Sequence, residues 1–442
     1  MDFPGALAYL EDHTNFEGKK LGTTAPMPTA GHTAGLGLEA ITELLHALGD
    51  PHLAYRVIHV TGTNGKGSTT RFASAILSAT GLSVGTFTSP NIERINERLT
   101  YNDLPISDAD FARIITLLAD VEPLLERRPT RWDLLTAAAF VWFADLGVDV
   151  AVVEVGLLGR YDSTNVVEPD VALITNIGKD HTDGTDGWRF RVASEKAGII
   201  KPDCHVVLGD PMEDVREIID LEPRRDLWVA GTDFEVEANL SAVGGRVIDL
   251  RTPGGRYEQL HVPFHGRHQG TNLASALAVV EAFFDGPVDQ ELVEEALLGV
   301  ELPARFEVVS HDPVVVLDGA HNPDGARAAK ETLDSEFARL GSWVLVIGIL
   351  SGKDPAEMLI AFGANDFDAV IVTQPDWSRA IPAEEIAAAA SQLGIGVEVV
   401  PNAIDALTRA QAVTAADDLI LVSGSIYVVG EVRAAARSIA SD

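Results

Sequence analysis

The sequence is poor in cysteine and in basic residues. Cys204 is the single cysteine, so the chain can form no internal disulfide, and we expect a reducing compartment. We expect Cys204 itself to be a buried small apolar residue rather than a nucleophile. Lysine and arginine total 33 against 66 acidic residues. Because nucleic-acid binding needs clustered lysine and arginine, the net charge of −33 argues against a nucleic-acid partner.

Long uninterrupted apolar runs are also missing. The longest, residues 134–159, is broken by Asp145, Asp149 and Glu154, which predicts a buried helix and strand rather than a membrane span. The chain does not open with a cationic and then apolar signal segment. We therefore expect a cytoplasmic protein with no membrane partner. The acidic, lysine-poor composition is typical of a salt-rich cytoplasm or of a biased genome, and composition leaves both explanations open.

The remaining composition is typical of a folded globular protein. Hydrophobic residues make up 46% of the 442 residues, a length that favours two or three domains. Short runs rich in β-forming residues alternate with amphipathic segments, which predicts an α/β protein with parallel sheets and helical crossovers. The predicted strands are Arg56–Thr61, Asp149–Val155, Asp170–Asn176, Val314–Leu317, Trp343–Ile349, Ala369–Thr373 and Leu419–Val422.

Two features of the pattern predict the domain organisation. Residues 232–263 contain the glycine-rich turns VGGRV and PGGRY, which indicate a small β-rich insert. Residues 299–304, GVELPA, form a proline-containing connector after which the strand and helix pattern restarts. We predict a larger domain at residues 1–298 and a smaller, Rossmann-like α/β domain at residues 299–442. Ligand sites in such sheets lie beyond the carboxyl ends of the strands.

The stretch VIHVTGTNGKGSTTRFASAIL, residues 57–77, has the order strand, glycine-rich loop and helix. This order places free backbone N–H groups and the positive end of a helix dipole around one lysine, which suits the phosphates of a nucleotide. The loop has only two residues between its first glycine and Gly-Lys, whereas the usual P-loop has four. We predict a nucleotide site on a P-loop-type parallel sheet, with a merely glycine-rich turn as the alternative. The predicted phosphate loop consists of Gly62, Thr63, Asn64, Gly65, Lys66, Gly67 and Ser68.

Charged residues follow other predicted strands. Glu154 ends the run VDVAVVEV, in the position of the acidic residue that holds Mg²⁺ in P-loop enzymes. His181 follows ITNIG, where an ordinary surface or partly buried histidine is the alternative. Lys196 lies in the apolar stretch ASEKAGII, where an unpaired ammonium would be costly, so we expect an acidic partner or a chemical modification.

A third group of polar residues lies in VVVLDGAHNPDGA, just beyond a predicted strand. There Asp318 suits a ribose hydroxyl, because a carboxylate accepts hydrogen bonds, and His321 suits a phosphate. A plain turn with an Asx cap is the alternative.

Motifs along most of the chain resemble those of one enzyme family. They are TGTNGKGST, TSP, EVGLLGRYDSTN, ITNIGKDHT, SEKAGIIK, GRHQGTN, DGAHNP and VSGSIYVVGEVR, in that order. Together they resemble the folylpolyglutamate synthase and dihydrofolate synthase branch of the Mur ligase family, over about residues 36–433. The shortened phosphate loop is this family's own version.

The resemblance implies a reaction and its cofactors. The enzyme would use ATP to add L-glutamate to the carboxylate of a folate or dihydropteroate through an acyl phosphate, releasing ADP and phosphate. It would need two Mg²⁺ ions and a carbamylated Lys196, and the resemblance allows K⁺ as a further cofactor. It also implies a monomer.

The resemblance assigns roles to residues of the larger domain. Lys66 would hold the β- and γ-phosphates, and Ser89 and Glu154 would ligate the Mg²⁺ that bridges them. His181 would ligate a second Mg²⁺ together with the carbamylated Lys196.

Further roles follow from the later motifs. Asn272, in HQGTN, would contact the adenine, and Asp162, in RYDSTN, would lie near the pterin. Arg305 and His321 would contact the γ-phosphate and the acyl phosphate. Asp318 would bind the ribose.

The chain departs from the family's usual motifs where the acceptor should bind. Asn91 replaces a histidine in TSPHL, Leu158 replaces a glycine, and Trp132 lies in the altered segment TRWDLL. A Mur-type ligase for another acceptor carboxylate or another amino acid therefore remains an alternative. A non-catalytic nucleotide-binding protein is a second alternative, from a different class of protein.

Overall fold

The computed structural model describes residues 1–15, 28–33, 36–182 and 184–439, which group into two compact units. The first unit comprises residues 1–240, 247–263 and 269–301, and the second comprises residues 241–246, 264–268 and 302–442. The domain boundary between residues 298 and 299 stays a prediction.

Helices and strands alternate through most of the described chain. In order to residue 301 they are α1 (Phe3–Glu11), α2 (Glu39–Ala47), β1 (Arg56–Thr61), α3 (Lys66–Ala79), β2 (Val84–Phe87), β3 (Leu99–Tyr101), β4 (Leu104–Pro105), α4 (Asp108–Val121), α5 (Arg131–Leu146), β5 (Val150–Glu154), β6 (Val171–Ile174), α6 (Trp188–Ala197), β7 (His205–Leu208), α7 (Arg216–Asp220), β8 (Asp226–Val229), β9 (Glu235–Ala242), β10 (Gly245–Thr252), β11 (Gly255–Val262), α8 (Arg267–Phe284) and α9 (Gln290–Gly299). From residue 302 they are β12 (Glu307–His311), β13 (Val314–Leu317), α10 (Pro323–Glu336), β14 (Trp343–Ile347), α11 (Pro355–Ala361), β15 (Ala369–Gln374), α12 (Ala383–Gln392), β16 (Glu398–Asn402), α13 (Ala403–Ala412), β17 (Leu419–Ser423) and α14 (Ile426–Ile439).

The large sheet of the first unit has eight strands in the order β4-β3-β2-β5-β1-β6-β7-β8. All neighbours from β2 to β8 are parallel, and β3 and β4 add an antiparallel edge. In the register of the central strands, Val60 lies opposite Glu154 and Thr61 lies opposite Ile174. The loops that follow β2, β5, β1 and β6 therefore leave the sheet at one edge, beside each other.

Burial on both faces explains the composition of these strands. Every residue of β5, Val-Ala-Val-Val-Glu, is buried, as expected for a central parallel strand covered by helices. Gly85 of β2 gives the Phe143 ring of α5 its space, since a Cβ there would lie 2.6 Å from ring atom Cδ1. Cys204 is buried in an apolar cluster with residues of β6, α6 and β7, which confirms the expectation of a packing role.

Strands β9, β10 and β11 form the predicted β-rich insert, a separate three-stranded sheet. Two-residue turns join them, and such turns connect antiparallel strands. The buried carboxylate of Glu281, on α8, accepts hydrogen bonds from Thr252 Oγ1 (2.7 Å), Tyr257 Oη (2.7 Å) and Gly254 N (3.0 Å). Burial nevertheless raises the pKa of the Glu281 carboxyl. The insert is thus attached to α8 by a buried polar network.

The second unit contains a six-stranded sheet in the order β12-β13-β17-β14-β15-β16. Its strands are parallel apart from the antiparallel edge strand β12. The Glu336 side chain, at the end of α10, is only 2% exposed; it contacts Arg246 and accepts hydrogen bonds from His265 Nδ1 (2.9 Å) and Gly266 N (2.9 Å). These contacts explain why the segments 241–246 and 264–268 group with this unit.

The predicted strands are all present, with ends that differ by no more than two residues. The sequence pattern did not predict the short strands β2, β7 and β8, nor the short strands β3, β4, β12 and β16 at the sheet edges. In the described part of the chain, no helix combines the length and the apolar character needed to cross a bilayer.

Candidate active site

The glycine-rich loop between β1 and α3 depends on backbone conformations that only glycine adopts easily. Gly62 has φ +149°, and a Cβ there would lie 1.7 Å from Thr175 Oγ1. Gly65 has φ +84° and immediately precedes the first residue of α3, Lys66. The loop therefore ends at the positive end of a helix, as the sequence predicted.

The end of β6 holds this loop in place. Asn64 N donates to Asn176 Oδ1 (2.9 Å), while Thr175 Oγ1 and Asn176 Nδ2 donate to Asn64 O (2.6 and 3.1 Å). Thr63 Oγ1 accepts a hydrogen bond from Gly178 N (2.9 Å). The sequence analysis gave Thr175 and Asn176 no role, although two polar residues directly after a buried strand were a usable signal.

Two lysines meet at the loop. Lys66 Nζ donates to Gly62 O at 3.1 Å and to Thr63 O at 3.4 Å, and Lys196 Nζ donates to the same Gly62 O at 2.7 Å. Lys196 is only 4% exposed. Burial and then the charge of Lys66 hold the pKa of the Lys196 amine well below its ordinary value, although the charges of Asp180 and Asp162 act in the opposite direction. This environment disfavours the charged form of the amine.

Ser89 and Glu154 lie at the carboxyl ends of the neighbouring strands β2 and β5. Ser89 N donates to Glu154 Oε2 at 3.0 Å, and Glu154 is buried. The arrangement brings a hydroxyl and a carboxylate together beside the phosphate loop. Oxygen donors of this kind suit Mg²⁺, which also keeps water and phosphate oxygens as ligands.

His181 lies in the loop after β6, in a left-handed conformation with φ +49°. The buried Asp180 accepts a hydrogen bond from His181 N (2.7 Å), and His181 Nε2 lies 3.8 Å from Asp180 Oδ1. Within the described ranges, no three histidine, cysteine or carboxylate side chains converge as a metal site. Ser89 and Glu154 offer oxygen donors for the first implied Mg²⁺, and a carbamylated Lys196 would supply carboxylate oxygens for the second that an unmodified lysine lacks.

Asp162 follows the loop after Glu154, and its side chain is buried. Its Oδ1 accepts from Thr164 N (3.0 Å) and Thr164 Oγ1 (2.6 Å), and its Oδ2 accepts from Leu157 N (2.8 Å) and Trp132 Nε1 (3.2 Å). Burial raises the pKa of Asp162, while these four hydrogen bonds act to lower it. Trp132 also stacks on Phe87, with ring centroids 5.2 Å apart. Asp162 therefore holds Leu157 and Trp132 in place. The sequence analysis expected of Asp162 only that it lies near the pterin substrate.

Asn272, near the start of α8, approaches the phosphate loop from another side. Its side-chain amide donates to Gln269 Oε1 at 2.9 Å. Its Oδ1 would lie 2.4 Å from a Cβ on Gly65, so it occupies the space that the glycine leaves. The structure thus brings Lys66, Glu154, Lys196 and Asn272 to one edge of the large sheet.

The second unit contains the other predicted residues. Asp318 follows β13 and accepts hydrogen bonds from Phe306 N and Ala320 N, both at 2.9 Å. Arg305 Nη1 donates to Ala304 O (3.0 Å), and His321 Nδ1 lies 2.9 Å from Gly319 O.

The same unit contains a half-buried histidine, His268, that the sequence analysis did not single out. Burial lowers the pKa of His268, while the charges of Asp318 and Glu336 act to raise it and that of Arg305 acts to lower it. His268 belongs to the GRHQGTN motif, which was the available signal.

Comparison with known proteins identifies the family. The model of the Mur ligase middle domain matches residues 60–280, and that of the Mur ligase glutamate ligase domain matches residues 304–426. The chain belongs to the Mur ligase family. The predicted ligase family and the two-domain α/β fold class are confirmed.

Relatives place this Mur ligase in a branch of the family. It is 36% identical to the dihydrofolate synthase/folylpolyglutamate synthase of Mycobacterium tuberculosis, over 90% of this chain and 89% of that protein. A structure of the M. tuberculosis folylpolyglutamate synthase with ADP and AMPPCP matches with a TM-score of 0.85 at 36% identity, covering 90% of this chain and 95% of the other. A structure of a bifunctional folylpolyglutamate synthase/dihydrofolate synthase with Mn, AMPPNP and L-glutamate bound matches with a TM-score of 0.84 at 28% identity, over 98% of each chain. The predicted branch, folylpolyglutamate synthase and dihydrofolate synthase, is confirmed.

Proposed function

We propose that this Mur ligase uses ATP to join L-glutamate to the carboxylate of a folate or dihydropteroate. The observation that carries the proposal is the convergence of Lys66 and Lys196 on Gly62 O, beside the Ser89–Glu154 pair. The solved structure of a relative with AMPPNP, an ATP analogue, Mn and L-glutamate bound supports ATP, a divalent metal and glutamate as the ligands of this chain.

The chemistry explains why such a site needs concentrated positive charge. A carboxylate is a poor electrophile, so one of its oxygens first attacks the γ-phosphorus, the bond to the β,γ-bridging oxygen breaks, and ADP leaves. The glutamate amine then attacks the carbonyl carbon of the acyl phosphate and loses a proton, and the C–O bond to phosphate breaks. Both steps move negative charge between oxygens, so positioning and charge neutralisation account for most of the catalysis.

We assign the roles of the first unit's residues as the family resemblance implies. Lys66 and the N–H groups of residues 62–68 bind the β- and γ-phosphates, and Asn272 contacts the adenine. Ser89 and Glu154 hold the first Mg²⁺, which neutralises charge on the phosphates when bound. Asp162 and Trp132 border the acceptor.

Lys196 acts as a carbamate. The lowered pKa of its amine increases the fraction of the nucleophilic, uncharged form, and attack of that amine on CO₂ forms an N–C bond with release of one proton. The resulting carboxylate places an anion next to the Lys66 ammonium, which is electrostatically favourable. With His181 it holds the second Mg²⁺.

The remaining roles concern the second unit and the assembly. Arg305 and His321 contact the γ-phosphate and the acyl phosphate, and Asp318 binds the ribose. The chain consists of domains at residues 1–298 and 299–442, acts as a monomer in the cytoplasm, and uses K⁺ as a further cofactor.

The test uses purified protein with ATP, Mg²⁺, KCl and L-glutamate, and offers dihydropteroate and tetrahydrofolate in separate reactions. The expected result is phosphate release that requires both the acceptor and glutamate, with a product one glutamyl unit heavier than the acceptor. ATP binding without product from either acceptor would overturn the proposed substrate class and favour another acceptor. ATP hydrolysis that needs neither substrate would overturn the ligase.

A further inference from the structure

A buried chain of hydrogen bonds leads from the central strand β1 to Asp162. His59, on β1, is fully buried, and its Nε2 lies 2.9 Å from Thr164 Oγ1. Thr164 Oγ1 in turn lies 2.6 Å from Asp162 Oδ1. The other imidazole nitrogen, Nδ1, is buried and has no hydrogen-bond partner among the described residues.

The direction of these hydrogen bonds follows from counting protons. A threonine hydroxyl has one proton and can donate only once. If the Thr164 hydroxyl donates its proton to Asp162, then His59 Nε2 must donate to the Thr164 oxygen. In that case His59 Nδ1 carries only a lone pair. In the reverse direction His59 would carry its proton on Nδ1 as a buried N–H without an acceptor. Orphaned buried N–H groups are rarer and costlier than unsatisfied acceptors, so the first direction is favoured.

The protonation state of His59 agrees with this direction. An imidazolium would need acceptors for two N–H groups, and His59 has one. Burial, aided by the charge of Lys201, lowers the pKa of His59 to about 3. The ring is therefore neutral at physiological pH.

We propose that His59 is a positioning residue for the acceptor side of the active site, acting through Thr164 on Asp162. By donating to Thr164 it commits the hydroxyl proton to Asp162, and so holds the carboxylate in the orientation in which Oδ2 accepts from Leu157 N and Trp132 Nε1. Leu157 lies in the loop after Glu154. His59 thereby fixes both that loop and the indole, and this inference rests on the proposed function of the site.

Two measurements on the protein without substrates test the chain of hydrogen bonds. Nitrogen-15 NMR of histidine-labelled protein, with the His59 signal assigned by its loss in His59→Gln, reports the tautomer. We expect the neutral Nε2–H form, and the Nδ1–H form would overturn the proposal. Hydrogen exchange of the Trp132 indole N–H, assigned with Trp132→Phe, should be faster in His59→Leu than in the wild type, and unchanged exchange would also overturn it.

Steady-state kinetics test the consequence for the reaction. His59→Leu should raise the KM for the acceptor by roughly tenfold, the effect of one lost internal hydrogen bond, and leave the KM for ATP unchanged. His59→Gln, whose amide can donate from a similar position, should restore most of the acceptor KM. A positioning role would be contradicted if His59→Leu left the acceptor KM unchanged or raised both KM values equally. It would also be contradicted if His59→Gln did not restore acceptor binding.

The matched control is His205→Leu. His205 is also a buried histidine on a parallel strand of the large sheet and has an unpartnered Nε2, but it lies at the opening residue of β7, at the far end from the active-site loops. The His205→Leu variant should lose stability without a selective change in the acceptor KM.

A second pair of variants covers the case in which His59→Leu does not fold. Thr164→Val should then raise the acceptor KM and Thr164→Ser should keep the wild-type value, and equal KM values in that pair would overturn the proposal. A wild type without ligase turnover refutes the proposed function, while the tautomer and indole measurements still decide the chain of hydrogen bonds.

Discussion

The amino groups of Lys66 and Lys196 donate to the same carbonyl oxygen, Gly62 O, at 3.1 and 2.7 Å. Two ammonium groups around one carbonyl oxygen would repel each other, and more strongly in the protein interior than at its surface. Lys196 is the more deeply buried of the two, and burial followed by the charge of Lys66 lowers the pKa of its amine. The proposed carbamate would remove the cost of a second buried cation beside Lys66.

Lys196→Met should abolish ligase turnover and leave the fold intact, because methionine keeps the length of the side chain but cannot form a carbamate. The free energy of unfolding should stay within about 1 kcal/mol of the wild type, since an unfavourable buried amine is removed. Phosphate release and thermal unfolding are the measurements.

Bicarbonate gives the same prediction a second readout. Wild-type protein prepared without CO₂ should gain turnover when ¹³C-bicarbonate is added, with a carbamate carbon signal in NMR that Lys196→Met lacks. The control is Lys201→Met, which removes another partly buried lysine and should keep both the signal and the turnover. Full turnover without bicarbonate and without a carbamate signal would refute the role.

Glu154→Gln should raise the Mg²⁺ concentration for half-maximal activity by roughly tenfold or more, because a neutral amide is a poorer ligand for a hard cation. The amide oxygen can still accept from Ser89 N, so the local structure should persist. Titration of phosphate release with Mg²⁺ measures the effect. The exposed Glu301→Gln is the control, and an identical Mg²⁺ dependence for both variants would exclude Glu154 as a ligand.

Gly62→Ala should destabilise the protein by roughly 2–4 kcal/mol and abolish ATP binding, because the new methyl group would overlap Thr175 Oγ1 in a backbone conformation that alanine rarely adopts. Denaturant unfolding and calorimetric titration with ATP measure the two effects. Gly286→Ala, where a Cβ meets no atom within 4 Å, should change neither. Wild-type ATP affinity in Gly62→Ala would contradict the close approach of loop and β6.

His59→Gln should lessen the loss of stability in acid. The pKa of histidine is about 6.5 in the unfolded chain and about 3 for His59 in the folded protein, so the unfolded state binds the extra proton between these values. Stability of the wild type therefore falls as pH drops through this window, by roughly 1 kcal/mol per pH unit from this group. Glutamine does not titrate, so this part of the slope should vanish.

Denaturant unfolding at several pH values between about 3 and 6.5 measures the slope. The control is His46→Gln, because the His46 side chain is 83% exposed and its replacement should keep the wild-type slope. Equal slopes for wild type and His59→Gln would mean that His59 gains its proton in the folded protein.

Salt should stabilise this chain, because 66 acidic residues against 33 basic ones repel each other at low ionic strength. Raising salt from about 0.1 to 1 M shortens the screening length from about 10 Å to about 3 Å. We expect Tm to rise by a few degrees, equally in KCl and NaCl. A Tm that does not change would refute self-repulsion, and turnover that requires KCl in particular would support K⁺ as a cofactor.

Much of the fold was predictable because the strands near the sheet centre are long enough to carry their own signal. Strand β1 has the predicted ends, and the predicted turns at residues 243–244 and 253–254 do join the strands of the insert. Strands β7 and β8 were missed, because each opens with a polar residue and lacks the all-apolar run that marks the equally short β6 and β13; pairing with their neighbours fixes them. The sequence pattern also marks the terminal residues of a strand only weakly, which accounts for the differences of one or two residues at the strand ends.

The sequence by itself determined the family, the phosphate loop and the residue types of the candidate site, because spacing within a motif is local information. The tertiary structure alone decided that Lys196 donates to Gly62 O across 134 positions, that Asn272 fills the space beside Gly65, and that Thr175 and Asn176 hold the loop. It also decided that His59 reaches Asp162 through Thr164. Such contacts depend on which strands lie side by side, and sheet order arises from burial across the whole chain rather than from any one segment.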